Sequence, residues 1–296
     1  MLHDNHRVRA GLDVWVVPDF AQDTLERNPG TLLDEVYSNY PHRGKGDDIV
    51  PGAVQWVDGD NDALRIRGHP LKRQKMWLQT SPTQQGYSRY NYTGWQWRVL
   101  PATGCVDECE EVGEILPAYN AWLDALGEGH EEANHAILTA YPDGNFYIGQ
   151  HHDKTADIHP NSLIVVVKLG RVGRPFEICD RGESKPFYSQ VLTPGTAVIM
   201  TLAANALVTH GVPASPEQEG LTGSIVFRTI RTVVSVAETE KKIRASERTR
   251  EREADHKREL EEANGGEPPK KIKLGAAAHR VFLDAQGLWH GCLNMY

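Results

Sequence analysis

The sequence predicts an α+β protein that is mainly β: a double-stranded β-helix (jelly roll) with flanking helices and a charged C-terminal helix or tail. Between Ala136 and Val236, short apolar runs alternate with glycine and proline turn signals, which is the spacing of a two-sheet jelly roll. An amphipathic pattern from Val112 to Gly127 predicts one helix packed on the outside of a sheet. From Glu238 to Glu262 the chain is almost entirely charged and lacks an apolar stripe, so we expect a solvated helix or disorder.

Length and composition limit the class of protein. The chain has 296 residues and 40% hydrophobic residues, enough for a large core. No apolar run reaches transmembrane length, the N-terminus lacks a secretion pattern, and the four cysteines are scattered. We therefore expect a reduced intracellular protein, in nucleus or cytoplasm, without a membrane partner. The sequence leaves its oligomeric state unknown.

The chain divides into four predicted regions. Residues 1–62 form an acidic N-terminal extension, and residues 63–110 form a segment rich in basic and aromatic residues. Residues 111–236 contain the predicted jelly-roll core. Residues 237–296 contain the charged helix and a C-terminal tail that we expect to be partly disordered.

The basic-aromatic segment stands out against a net charge of −8. No Asp or Glu occurs from Ala63 to Val106, whereas arginines, lysines, tyrosines and tryptophans recur throughout this stretch. Basic residues interleaved with aromatics are typical of a surface that contacts phosphates and stacks bases. An aromatic packing layer with solvated cations is the alternative interpretation.

A strand, a turn and a cluster of polar residues follow in the core region. Ala136 to Tyr141 reads as a buried strand, and Pro142 to Asn145 reads as a turn in which glycine and asparagine accept a positive φ. On an extended chain His151 and Asp153 point to the same face. Two histidines and one carboxylate on one face of a metal are the ligands of non-haem Fe(II) oxygenases.

The remaining ligand and an anion-binding residue are expected further along the chain. His210 ends an apolar run in the sequence Ala206 to Pro213, and it is the best candidate for the second histidine. Arg228 lies in a later apolar strand, where a guanidinium requires an anion, and a carboxylate is its natural bidentate partner.

Taken in order, these segments resemble the AlkB family of Fe(II)- and 2-oxoglutarate-dependent dioxygenases. The resemblance runs from about Pro70 to Val234 and includes the Tyr141–Asp153 segment, the strand before His210 and the strand of Arg228. It implies an oxidoreductase that binds Fe(II), uses 2-oxoglutarate as cosubstrate, and removes or hydroxylates alkyl groups on bases of DNA or RNA. Nucleic-acid demethylation and DNA repair are the processes that it implies, with residues 111–236 as the oxygenase core.

The resemblance also assigns roles to individual residues. His151, Asp153 and His210 would bind iron, and Arg228 and Tyr141 would hold 2-oxoglutarate. Thr139 and Thr222 stand where the family usually has an asparagine and a first anchoring arginine. Thr155 occupies a position that is often acidic in relatives acting on adenine or cytosine. The remaining expected substrate-binding residues are Lys72, Arg73, Gln74, Lys75, Trp77 and Tyr92.

Two other functions stay open at this point. A protein or small-molecule hydroxylase of the same fold fits the net acidity, Thr155 and the absence of the first arginine. A catalytically inactive binding module is the other alternative. The only feature that favours it is the absence of the first anchoring arginine, at Thr222.

Overall fold

The structure of the protein is a computed structural model. The described residues are 2–50, 53–61, 64–66, 69–80, 87–88, 90–91, 99–100, 104–127, 129–156, 158–230, 233–234, 248, 252, 255 and 258. The chain divides into two compact units, Met1–Ser246 and Glu247–Tyr296. In the second unit the four described residues are helical, and Arg258 and Asp255 form an ion pair of 3.6 Å.

The first unit contains short helices and many strands. Its strands are β1 (Val14–Val17), β2 (His42–Arg43), β3 (Trp56–Val57), β4 (Arg65–Ile66), β5 (His69–Pro70), β6 (Gln74–Gln79), β7 (Tyr87–Ser88), β8 (Tyr90–Asn91), β9 (Val99–Leu100), β10 (Gly104–Cys105), β11 (His135–Tyr141), β12 (Ile148–His151), β13 (Leu163–Gly170), β14 (Arg174–Asp180), β15 (Tyr188–Leu192), β16 (Ala197–Thr201), β17 (Val208–Val212), β18 (Thr222–Arg228) and β19 (Val233–Val234). Its helices are α1 (Phe20–Asp23), α2 (Pro29–Asn39), α3 (Glu110–Leu126) and α4 (Leu202–Leu207), with 3-10 turns at Asp4–His6 and Val106–Glu108.

Two sheets build the predicted jelly roll. The main sheet has the order β1-β16-β13-β18-β11-β6-β3-β2, with β10 also paired to β6, and the smaller sheet has the order β12-β17-β14-β15. From β11 to β18 each connection crosses from one sheet to the other, except the hairpin that joins β14 to β15 within the smaller sheet. The pairs within this segment are antiparallel. This arrangement confirms the predicted double-stranded β-helix.

The two faces of the main sheet bury different sets of residues. One face packs against α2 and α3, where the rings of Tyr119 and Phe227 stack with centroids 4.3 Å apart. The other face packs against the smaller sheet, for example through Ile164 and Phe176. Helix α3 confirms the helix predicted from Val112 to Gly127. It ends at Leu126, and Gly127, whose φ is +70°, caps its C-terminus. None of the helices described has the length and apolar character needed to cross a membrane.

The N-terminal residues contribute strands to the main sheet. Strand β1 pairs antiparallel with β16, and β2 and β3 extend the sheet beyond β6. Strand β6 therefore has paired neighbours on both edges, and all six of its residues are buried. Met76 and Leu78 face the helices, whereas Lys75 and Trp77 face the interior of the barrel.

Candidate metal centre

Two neighbouring strands of the smaller sheet, β12 and β17, place their histidines side by side. Strand β12 pairs antiparallel with β17, and His151 lies directly opposite His210 in this register. The two ring centroids are 4.5 Å apart, and His151 Nε2 is 3.8 Å from Asp153 Oδ1. One ligand atom from each of these three residues lies within 4.8 Å of the other two. The protein thus brings two imidazoles and one carboxylate to a single point.

The backbone of Asp153 is held by a residue that the sequence did not reveal. Asn205 is buried, and its side chain accepts a hydrogen bond from Asp153 N and donates one to Asp153 O, each 2.9 Å long. Thr201 caps the short helix α4, on which Asn205 lies, by accepting from Ala204 N. Asn205 belongs to a distant segment, so spacing around His151 and Asp153 could not identify it.

Hydrogen bonding and burial leave the three side chains in the state that a metal requires. The Nδ1 atom of His151 is 3.0 Å from the carbonyl oxygen of Gly149, to which it donates, leaving Nε2 as the ligand atom. Burial and the neighbouring His210 lower the pKa of His151 to about 3, and burial lowers the pKa of His210. Burial alone would raise the pKa of Asp153, but Arg228 and the two histidines outweigh it and lower that pKa.

Basic side chains surround these three residues inside the barrel. Arg228, Lys75 and Arg73 are 5%, 7% and 8% exposed. Arg228 is directed by a hydrogen bond of 3.4 Å from its Nε to His135 Nδ1. Burial, followed by the charge of Arg73, lowers the pKa of Lys75 well below its usual value. Such a concentration of buried positive charge favours an anionic ligand in addition to a metal.

The residues expected to contact the cosubstrate line the same interior. Thr139 and Tyr141 are buried on β11, and in the register with β18 they lie opposite Ser224 and Thr222. Burial raises the pKa of Tyr141 to about 12, so its hydroxyl remains protonated at neutral pH and can donate a hydrogen bond. Thr222 is completely buried on the same strand as Arg228.

The expected substrate-binding residues do not form the exposed surface that the sequence indicated. Lys72 is exposed and Thr155 is half-buried, whereas Arg73, Gln74, Lys75 and Trp77 are all buried. Trp77 packs among apolar residues such as Val57 and Ile137. These four residues therefore do not face solvent, since Arg73 is buried just before β6 and the other three lie on this covered strand. Their contact with a substrate stays a prediction. Tyr92 lies outside the described residues.

The turn before β12 is fixed for a different reason from the one predicted. Neither Gly144 nor Asn145 has a positive φ. Gly144 instead pairs with the segment after β17, donating to Gln218 O and accepting from Ser215 N at 3.0 and 2.8 Å. A Cβ atom at position 144 would lie 1.7 Å from the carbonyl oxygen of Ser215. Close backbone approach therefore requires this glycine.

The fold and the donor set together define a class of site. A 2-His-1-carboxylate cluster inside a double-stranded β-helix is the arrangement of non-haem Fe(II) oxygenases, and neutral imidazoles with an ionised carboxylate fit Fe(II).

No family profile and no curated protein matches the sequence. Among solved structures, the chain is similar to that of OsALKBH1, with 15% identity over 75% of this chain and 98% of the other, and a TM-score of 0.38. It is also similar to a 2OG-Fe(II) oxygenase family protein from Burkholderia pseudomallei, with 18% identity over 55% of this chain and 68% of the other, and a TM-score of 0.33. The strand order of the two sheets defines the double-stranded β-helix independently of these two structures.

Proposed function

We propose that the protein is an AlkB-like dioxygenase that uses Fe(II) and 2-oxoglutarate to oxidise alkyl groups on nucleic-acid bases. The observation that carries this proposal is the convergence of His151, Asp153 and His210 within 4.8 Å, next to the buried cation Arg228. A cluster of three protein ligands leaves positions on the metal for a chelating cosubstrate and dioxygen.

When bound, the metal and cosubstrate would supply the oxidation of a C–H bond to an alcohol by dioxygen, with conversion of 2-oxoglutarate to succinate and carbon dioxide. A hydroxylated N-methyl group then releases formaldehyde. His151 and His210 would present neutral nitrogen ligands, and Asp153 would present a carboxylate whose backbone Asn205 keeps in place. Arg228 would pair with a carboxylate of 2-oxoglutarate, and the protein would position the reactants and exclude water.

Nucleic acid is the substrate class that the AlkB resemblance supports. The acid-free stretch from Ala63 to Val106 offers cations and aromatic rings in a chain that is otherwise acidic. Among the described residues of this stretch, Lys72 is exposed, and its carbonyl oxygen accepts from Tyr147 N at 2.7 Å. Lys72 therefore lies beside the loop that leads to the ligand strand β12, where a substrate backbone would approach the metal. A base would reach the metal single-stranded or flipped out of a duplex.

The burial of Arg73, Lys75 and Trp77 favours a second candidate, a protein or small-molecule hydroxylase with the same metal and cosubstrate. With these side chains inside the barrel, fewer groups remain to neutralise phosphates than the sequence indicated.

One experiment tests the function and separates these candidates. The purified chain is loaded anaerobically with Fe(II), and succinate is measured with 2-oxoglutarate and oxygen, alone and with methylated oligonucleotides. We expect basal succinate formation, its stimulation by a methylated oligonucleotide, and release of formaldehyde. Basal succinate without stimulation by any oligonucleotide would favour the second candidate. Absence of iron-dependent succinate in every condition would contradict both and leave an inactive binding module.

A further inference from the structure

Two further buried cations lie inside the barrel and have no role in the site described so far. Lys168 on β13 is 8% exposed and Arg174 on β14 is 1% exposed. Together with Tyr141 and Ser224 they line a partly open space of about 30 Å³, the other walls of which are mostly apolar. This space can hold one small group, such as the end of a ligand, but not a whole cosubstrate.

The neighbours of these two cations offset their charge only in part. Among the described residues, the Lys168 ammonium donates to the carbonyl oxygen of Leu169, and no carboxylate pairs with it. Arg174 donates to the carbonyl oxygens of Asp143, Phe146 and Pro213, while its buried Nε has no hydrogen-bond partner in the described part of the chain. No carboxylate acts on Lys168, and the charges of Asp143 and Glu217 act on Arg174 without forming an ion pair with it among the described residues. A bound anion would offset the remaining cost of burying the two cations.

The same space lies next to Thr222, which stands where the AlkB family usually has its first anchoring arginine. Lys168 lies opposite Ser224 in the register of β13 with β18, and Thr222 lies opposite Tyr141 in the register with β11. Thr222 is completely buried, and its hydroxyl oxygen has no hydrogen-bond partner within the residues described. The Arg174 guanidinium carbon is 5.2 Å from the centre of the Tyr141 ring. Lys168 and Arg174 therefore supply positive charge near position 222, although the residue at that position is a threonine.

The order of residues along β18 also suits a ligand with two anionic ends. Arg228, whose charge acts on Asp153, and Ser224, which is paired with Lys168, are both on β18. Four residues of strand span about 13 Å, and the side chains of Arg228 and Lys168 are long enough to shorten that distance for a ligand between them. One end of a dicarboxylate can thus meet Arg228 while the other meets Lys168.

We propose that Lys168 and Arg174, with the Tyr141 hydroxyl, form an anion-binding subsite that receives the distal carboxylate of 2-oxoglutarate. Lys168 supplies the direct charge, because its ammonium has donors beyond the one used by Leu169. Arg174 adds positive charge, and it ties the segment before β12, through the carbonyl oxygens of Asp143 and Phe146, to Pro213 after β17. This inference rests on the proposed function, since it assigns residues to the cosubstrate of that site.

The test compares two ligands that differ only at the distal end. Binding of 2-oxoglutarate and of 2-oxopentanoate, which has a methyl group in place of the distal carboxylate, is measured by calorimetry on the full chain loaded anaerobically with Fe(II). For the wild type we expect a strong preference for 2-oxoglutarate. For Lys168→Met we expect 2-oxoglutarate to bind about 30-fold more weakly or worse, with 2-oxopentanoate unchanged. Lys168→Arg should retain much of the preference, and Lys185→Gln, at an exposed lysine, should retain all of it.

The outcomes separate failure of the subsite from failure of the proposed function. If the wild type prefers 2-oxoglutarate and Lys168→Met keeps that preference, the subsite is wrong while the proposed function stands. If the wild type binds both ligands equally, no distal carboxylate subsite exists. If the wild type binds neither ligand, the proposed function fails and the subsite with it. Should Lys168→Met fail to fold, Lys168→Gln and Arg174→Lys are measured for the same loss of preference, and its retention in both would overturn the subsite.

Discussion

The guanidinium of Arg228 donates from Nε to Nδ1 of His135 at 3.4 Å, and both side chains are buried inside the barrel. His135 lies directly opposite Arg228 in the register of β11 with β18. Burial and the charges of Arg228 and Lys75 lower the pKa of His135 well below its usual value, so the ring is neutral and can accept this bond. His135 thereby orients the fork of Arg228, the residue that we assign to a carboxylate of the cosubstrate.

Arg228→Ala should raise the 2-oxoglutarate requirement strongly, because a carboxylate left buried without its partner costs about 2–5 kcal/mol. His135→Phe keeps the ring volume but removes the acceptor, so we expect a smaller increase. The measurement is KM for 2-oxoglutarate from succinate formation. An increase for His135→Phe that exceeds the one for Arg228→Ala would contradict the assignment of Arg228 as the anchor.

Asn205→Ala should weaken metal binding about 10–100-fold, because loss of a residue that orients a ligand usually has this effect. Asn120→Ala is a matched control: Asn120 also makes paired hydrogen bonds with one backbone residue, Ala133, but on helix α3. Both variants should lose stability, and only Asn205→Ala should lose metal affinity in an anaerobic titration. Equal metal affinity in the two variants would show that Asn205 is structural alone.

Gly144→Ala should destabilise the protein, at a cost of about 1–3 kcal/mol or more, because its Cβ would collide with the Ser215 carbonyl oxygen. Gly149→Ala is the control, since no atom lies within 4 Å of a Cβ at that position. Thermal unfolding of both variants tests this prediction. A variant Gly144→Ala as stable as the wild type would mean that the turn accommodates a side chain.

The pKa of Lys168 predicts a pH dependence of stability. Burial and then the charge of Arg174 lower this pKa to about 7, whereas an unfolded lysine titrates near 10.4. Between these values the unfolded chain binds more protons, so the Lys168 contribution to the free energy of unfolding rises with pH, by up to about 1.4 kcal/mol per pH unit. Tyr141, with a pKa of about 12, and Arg174 face Lys168 and stay in one charge state over this window.

Urea unfolding of the metal-free and cosubstrate-free protein between pH 7.5 and 9 measures this slope. Lys168→Met should show a smaller increase in stability with pH than the wild type. Identical slopes for the two proteins would place the Lys168 titration outside this window.

The sequence was sufficient to predict the parts of the fold that depend on local patterns. Alternating strands and turns indicated the jelly roll, and the apolar stripe around Ile115 indicated helix α3. The period of an extended chain predicted His151 and Asp153 on one face, although β12 ends at His151 and Asp153 lies beyond it. Their approach to His210 could be anticipated only by matching ordered segments to a family.

Features that depend on contacts between distant segments were not predictable. The hydrogen bonds between the Asn205 side chain and the Asp153 backbone join residues far apart in the chain. The proposed subsite at Lys168 depends on the register between β13 and β18. The burial of Lys75 and Trp77 was missed because a basic-aromatic pattern does not distinguish a covered interior strand from an exposed one.

Metal binding by three named residues is the central claim, and an anaerobic Co(II) titration followed by its visible absorption tests it most directly. The wild type should bind one ion per chain, and His151→Ala, Asp153→Ala and His210→Ala should each lose most of that affinity while remaining folded. His152→Ala is the matched control, because this adjacent histidine is exposed and lies outside the cluster. Wild-type affinity in any of the three variants, or its loss in His152→Ala, would contradict the assignment.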